Sequence, residues 1–283
     1  MISGRKPSDY TWLSSQPYKV FGLHDLMKIS IVVLTLMLSG CTTRPQEESS
    51  SESWVEVFSD SCTGDWTDQW FLDGELATIE NSSEGMTFSA GPVNRDDAHH
   101  AVLWTKSSFE GDVKIEYDYT RTDEQVINVN ILFIQATGIG EGEFGKDITE
   151  WADYRRVPTM SKYWLNMNTI HVSYAAFPMV NEDPANDYLR VRRYPASSKE
   201  TFGETEVPPA YERTGLFLPG KTYHLTWTKT KDQLTLRVAG DDHDKTYEWD
   251  LSGTKPVTEG RIGLRHMFTR SARYKNFKVF TKQ

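Results

Sequence analysis

Two runs of this sequence carry side chains able to move a proton beside a negatively charged group. In residues 163–174, Ile170 and Val172 alternate with His171 and Ser173. In residues 187–194, Leu189 and Val191 alternate with Tyr188, Arg190 and Arg192. A strand sends successive side chains to opposite faces, so each run would bury aliphatics on one side and present polar groups on the other. One such face holds an imidazole, which titrates near neutral pH. The other holds a phenol and two guanidiniums, whose planar donor forks suit carboxylate or sulfate. Elimination at a uronic acid asks for these types: a base for the proton beside the carboxylate, donors for the enolate-like intermediate, and an acid for the leaving oxygen. His171 is the expected base and Tyr188 or Tyr174 the expected acid, while Arg190, Arg192 and Arg155 are expected to hold the anion. His100, Asn128, Asn130 and His266, from other runs, are expected to complete the pocket.

Each of these residues also has a plainer reading. A histidine on a sandwich strand serves as a structural hydrogen-bonder about as often as a functional group, and the arginines can pair with surface carboxylates. His99 and His100 follow Asp96 and Asp97, which raises metal binding, yet adjacent histidines on an extended chain point apart. There is no HExxH and no cysteine cluster, so no cofactor is expected, with a structural calcium left open. Glu116 and Asp118 have carboxylates two residues apart, but the E-x-D-x-x-E strand of jelly-roll glucanases is absent, which weighs against glycoside hydrolysis.

The elements that must position these groups read as strands. Short alternating runs at 86–90, 101–105, 113–120, 126–135, 169–176, 188–194, 223–230, 233–239, 247–250, 261–267 and 272–281 occur without any long stretch of helical period. So many strands in about 230 residues predict an all-β, two-layer sandwich or jelly roll. Residues 137–162, 177–186 and 195–218 interrupt the rhythm and are expected to form loops walling one sheet. The net charge of −9 over 283 residues leaves no global basic footprint for nucleic acid. Cys62 is expected to be a small buried residue rather than a nucleophile.

The N-terminal part resembles a bacterial lipoprotein signal peptide: Met27-Lys28, an apolar run over 29–38, then Leu38-Ser39-Gly40-Cys41. That run is shorter than the ~20 residues a spanning helix needs. The resemblance implies cleavage before Cys41, lipidation of its thiol, and outer-membrane sorting with the domain facing the periplasm or the cell surface. Residues 1–26 fit no part of such a peptide and read as over-extension of the start. Residues 41–53 read as a lipidated cysteine and polar tether, and 54–283 as the catalytic domain.

Residues 109–119, 220–238 and 260–279 resemble the strands of concanavalin-like jelly rolls with loops over a concave sheet. Alginate-lyase jelly rolls use the same residue types, but their motifs are absent apart from a partial echo in Thr169-Ile-His171. A closer resemblance, to lipoproteins of polysaccharide-degrading marine bacteria of the ulvan-oligosaccharide dehydratase type, rests on several motifs. These are His99-His-Ala-Val-Leu-Trp104, Ile134-Gln-Ala-Thr-Gly138, His171-Val-Ser-Tyr-Ala-Ala-Phe177, Arg192-Arg-Tyr-Pro195, Gly263-Leu-Arg-His-Met267 and Thr269-Arg-Ser-Ala-Arg-Tyr274. It implies removal of water from a terminal uronic acid of an acidic oligosaccharide, with or without sulfate, giving a 4,5-unsaturated uronyl product. The expected alternatives are a surface glycan-binding lipoprotein without catalysis and, third, a polysaccharide lyase or glycoside hydrolase.

Overall fold

A computed structural model describes residues 53–282. The expectations for the start-site extension, the signal peptide, Cys41 and most of the tether lie outside these residues. The described chain forms two eight-stranded antiparallel sheets packed as a jelly-roll sandwich. One sheet runs in the order His243–Asp250, Gln233–Gly240, Thr222–Lys229, Val113–Arg121, Ser271–Lys282, Gly85–Ser89 and Thr78–Ser82, with Trp54–Asp60 also paired to Ser271–Lys282. The other runs Glu206–Glu212, Tyr188–Tyr194, Met167–Ala176, Asn130–Gly138, Glu259–His266, Ala101–Thr105 and Trp70–Asp73, with the short Phe109–Glu110 beside Glu259–His266.

Alternation assigns the faces of the second sheet. Leu132, Ile134, Ile170, Val172, Leu189, Val191, Ile262 and Leu264 point between the sheets and join the main core with Trp227, Leu236 and Ile115 from the other layer. The opposite face is covered as well. Ile131, Phe133, Val102 and Trp104 form a second apolar cluster there with Tyr163, Ile148 and Trp151. Gly263 makes room for this packing, because a Cβ at that position would stand 2.4 Å from the Trp104 ring. Burial on both faces makes this sheet the rigid floor on which a site can be built.

The expected wall at 137–162 contains the 3-10 stretch Ile148–Arg155 and the helix Met160–Asn166, which bring Ile148, Trp151 and Tyr163 onto the second cluster. Its anchor is a buried ion pair. Asp73 Oδ2 accepts from Arg155 Nε at 2.6 Å, Trp104 Nε1 at 2.7 Å and the Tyr163 hydroxyl at 3.0 Å. Removing one member of such a buried pair costs about 3–5 kcal/mol because its partner keeps an uncompensated charge.

Two departures from the expected boundaries have a local cause. The run at 126–135 enters its strand only at Asn130, since Asn128 has a φ of 65° and turns the chain. The 195–218 insertion contributes the strand Glu206–Glu212, despite Pro208 and Pro209. That strand is the sheet's edge, where a proline's missing donor leaves no ladder bond unmade.

Candidate active site

On the outer face of the second sheet, His100, His171, Tyr188, Arg190 and Arg192 line one cavity of about 360 Å³. Strand register explains much of this convergence: Arg192 lies opposite His171 and Arg190 opposite Ser173. Directly opposed residues on one face have neighbouring side chains. Tyr188, two residues from Arg190, shares their face, and so does Tyr194, whose ring centroid is 5.0 Å from that of His171. Trp164 on the helix and Phe202 in the 195–218 insertion, 5.2 Å apart, add apolar walls of the kind on which a sugar ring stacks.

The charges around His171 are positive. Arg190 Nε stands 3.3 Å from Glu206 Oε2, and Arg192 Nη2 stands 3.1 Å from the same oxygen. Two guanidiniums thus share one carboxylate. Arg192 donates further to the Phe202 carbonyl at 3.3 Å, while Arg190 lies 4.6 Å over the Tyr188 ring. Arg265 is fully buried nearby, stacked 4.6 Å from the Tyr163 ring centre and donating to the Pro158 carbonyl at 2.7 Å. At the His100 end, Asp97 Oδ1 lies 3.4 Å from His100 Nε2.

These surroundings fix protonation. Desolvation by burial, then the positive Arg192, Arg265 and Arg190, hold His171 well below the usual imidazole range. It is therefore a neutral imidazole at pH 7, and its buried Nδ1 has no hydrogen-bond partner among the described residues. Burial pushes the Tyr188 phenol above its ordinary value, against the opposing pull of Arg190 and Arg192, so it keeps its proton. Burial, with Arg265 second, pushes His100 down to about 2. A neutral imidazole and a protonated phenol thus share a cavity with cationic donors.

The other expected site residues stand elsewhere. Tyr174, Asn130 and His266 share the parity of Val172, Leu132 and Leu264, so they point between the sheets. Tyr174 and His266 both bond the Tyr274 hydroxyl, at 3.2 and 2.8 Å, and Asn130 Nδ2 donates to Tyr119 Oη. Arg155 is spent on Asp73 under the wall. Asn128 is buried and shapes a turn, its Nδ2 donating to Asn94 Oδ1 at 3.0 Å. None of these five lines the cavity. Their placement corrects the expected pocket, in which His171 and Tyr188 remain beside His100, Arg190 and Arg192.

Tyr194, which lines the cavity, and Arg265 and Glu206, which lie beside it, escaped the sequence reading. Arg265 shares parity with Gly263 and was findable from alternation. Tyr194 follows Arg192 by two and was equally legible. Glu206 carries no such signal, because its strand is hidden by prolines. The two adjacent histidines face separate carboxylates: His99 Nε2 lies 3.8 Å from Asp96 and His100 Nε2 3.4 Å from Asp97. Among the described residues, no group of three or more His, Cys, Asp or Glu is placed to hold a metal ion.

A family model described as "Domain of unknown function (DUF1961)" matches residues 60–279. No curated protein sequence matches the chain. Among solved structures, it is similar to a Bacillus subtilis protein of unknown function with a galectin-like fold, at 19% identity and a TM-score of 0.62, covering 82% of this chain and 97% of that one. It is also similar to the exoplasmic/lumenal domain of VIP36 in its Ca2+/Man3GlcNAc-bound form, at 13% identity and a TM-score of 0.52, covering 81% and 90%. At such identities the likeness shows the sandwich fold.

Proposed function

This chain belongs to the DUF1961 family, and we propose that it is an oligosaccharide dehydratase that takes the terminal uronate of an acidic oligosaccharide into the outer-face cavity. One observation carries the reading: His171, Tyr188 and the Arg190–Arg192 pair all line the same cavity, where burial favours a neutral imidazole and a protonated phenol. The guanidiniums bind the uronate carboxylate and stabilise the enolate-like charge that develops on it. His171 takes the C5 proton. The electron pair of that C–H bond forms the C4=C5 double bond, the C4–O bond breaks, and Tyr188 gives its proton to the departing hydroxyl, which leaves as water. The proton on His171 returns to the Tyr188 phenolate through solvent, restoring both groups. A lipid anchor at Cys41, with the domain facing the periplasm or the cell surface, belongs to the same reading, since it would place the domain where polysaccharide fragments arrive.

The experiment is mass spectrometry after incubation with defined oligosaccharides ending in a uronic acid, with ultraviolet absorbance followed in parallel. Loss of one water together with a new band of the unsaturated uronate is the expected result. A second reading, a surface glycan-binding protein, is favoured by the fold's likeness to VIP36, whose bound form carries Man3GlcNAc. Saturable binding with unchanged mass and absorbance would select it. Chain cleavage would instead select a polysaccharide lyase or glycoside hydrolase, with unsaturation separating the first from the second.

A further inference from the structure

We propose that Arg265, buried beside the outer-face cavity, makes that cavity selective for an anionic sugar, acting through its charge rather than by contact; the inference rests on the uronate reading above. Strand register lays a row of residues across the sheet: Arg265 opposite Ile131, Ile131 opposite Ser173, and Ser173 opposite Arg190. Ile131, Ser173 and Arg190 line the cavity, and so does Met267, two residues on from Arg265. Neighbouring strands lie about 4.8 Å apart, so the Arg265 backbone is about 10 Å from that of Ser173. The wall at 137–162 fixes the side chain, through the Pro158 carbonyl and the Tyr163 ring.

The cations around the cavity differ in what neutralises them. Arg190 and Arg192 share the Glu206 carboxylate, and Arg155 under the wall is matched by Asp73. Arg265 has no ion pair among the described residues, and its Nε and Nη1 are buried without a hydrogen-bond partner among them. The Tyr194 hydroxyl and the Nδ1 atoms of His171 and His100, all on cavity-lining residues, are buried and unpartnered in the same way. A guanidinium keeps its proton even there, and an unpaired charge is expensive to hold away from water. Asp97, the carboxylate that lines the cavity, is half-exposed and stands against His100. Three guanidiniums thus face two carboxylates, and the unmatched positive charge is that of Arg265. A carboxylate entering the cavity supplies the missing counter-charge, and a neutral ring does not.

Calorimetric titration tests this with two probes, a disaccharide ending in glucuronate and its counterpart ending in glucose. The parent should bind the acidic probe more tightly. Arg265→Gln keeps a donor for the Pro158 carbonyl but loses the charge, and it should cut that preference roughly tenfold while binding the neutral probe as the parent does. That is the scale of attraction between unit charges about 10 Å apart at an effective dielectric constant of about 20. Arg265→Lys keeps the charge and should keep the preference. Should Arg265→Gln fail to fold, Arg265→Met removes the same charge from a side chain of similar length. An undiminished preference in the uncharged variant overturns the inference alone. So does a loss that is equal for both probes, or a lysine variant that loses the preference as fully as the glutamine one. A parent that binds both probes equally, or neither, overturns the uronate reading and this inference with it.

Discussion

His171 and His266 lie on opposite faces of the same sheet, and the contrast between them separates a site from a core. Both are almost fully buried, both are held below the usual imidazole range chiefly by desolvation, and both have an Nδ1 without a hydrogen-bond partner among the described residues. Residue type and titration therefore do not distinguish them. Surroundings do. His266 is stacked 4.4 Å from Phe88 and bonded to Tyr274, inside a sealed layer of tyrosines. His171 borders a cavity with two arginines and a phenol on its walls. A perturbed pKa becomes a functional signal only where a ligand can reach it.

The largest effect that tests this contrast is on turnover. His171→Ala should reduce dehydration roughly 10²–10⁴-fold, the usual contribution of a positioned general base, while leaving the thermal midpoint close to that of the parent. His266→Leu should do the reverse. It leaves the Tyr274 hydroxyl short of a partner and lowers stability by about 1–3 kcal/mol, with turnover per folded molecule retained. Activity assays beside thermal melts check both, and a His171→Ala protein with full turnover would remove the base assignment.

The second test is acid. A buried histidine with a depressed pKa refuses the proton that its unfolded counterpart takes near pH 6.5, so the unfolded state binds more protons below that pH and stability falls. Above pH 6.5 the group contributes no pH dependence. For His266 the loss runs from 6.5 down to about 3, and for His100 down to about 2. Each should cost about 1.4 kcal/mol per pH unit within its window. Urea midpoints between pH 7 and 5 should fall in the parent, and the fall should be shallower in His266→Leu, which has lost one such group. An unchanged slope in that variant would mean that His266 is protonated in the fold.

How far the sequence anticipates all this depends on the distance between partners. Alternation within a strand is local, and it supplied the two layers, the strands at 101–105 and 188–194, and the shared face of Tyr188, Arg190 and Arg192. The same rule placed Tyr174 with Val172, Asn130 with Leu132 and His266 with Leu264, all on the inner face. Assigning them to the pocket followed residue type against parity, and the inner core shows why parity prevails: a one-residue change of register would turn every core aliphatic of the strand to the other face. Arg155 is different. Its partner Asp73 lies 82 residues away and nothing local announces the pair. Glu206 was hidden for another reason, since a strand holding two prolines is readable only once it is known to be an edge.

Tyr174 offers the smallest effect and the sharpest test of the two faces, because sequence alone left it an equal candidate with Tyr188 for the acid. Its ring is sealed among Tyr119, Phe217 and Trp227, and its hydroxyl reaches only inward, to Tyr274 at 3.2 Å. Burial, with Tyr117 and Tyr274 next, pushes the phenol well above its ordinary value, so it holds its proton as firmly as a catalytic acid would. The cavity that contains His171 does not include it. Tyr174→Phe keeps the ring and deletes one neutral hydrogen bond, which should lower stability by about 1 kcal/mol and leave kcat and its pH profile as they are. Tyr188→Phe keeps the same volume on the other face, and there the loss should appear in kcat with little change in the melt. If the two variants exchanged these outcomes, the acid would lie between the sheets and the outer cavity would lose its claim to the chemistry.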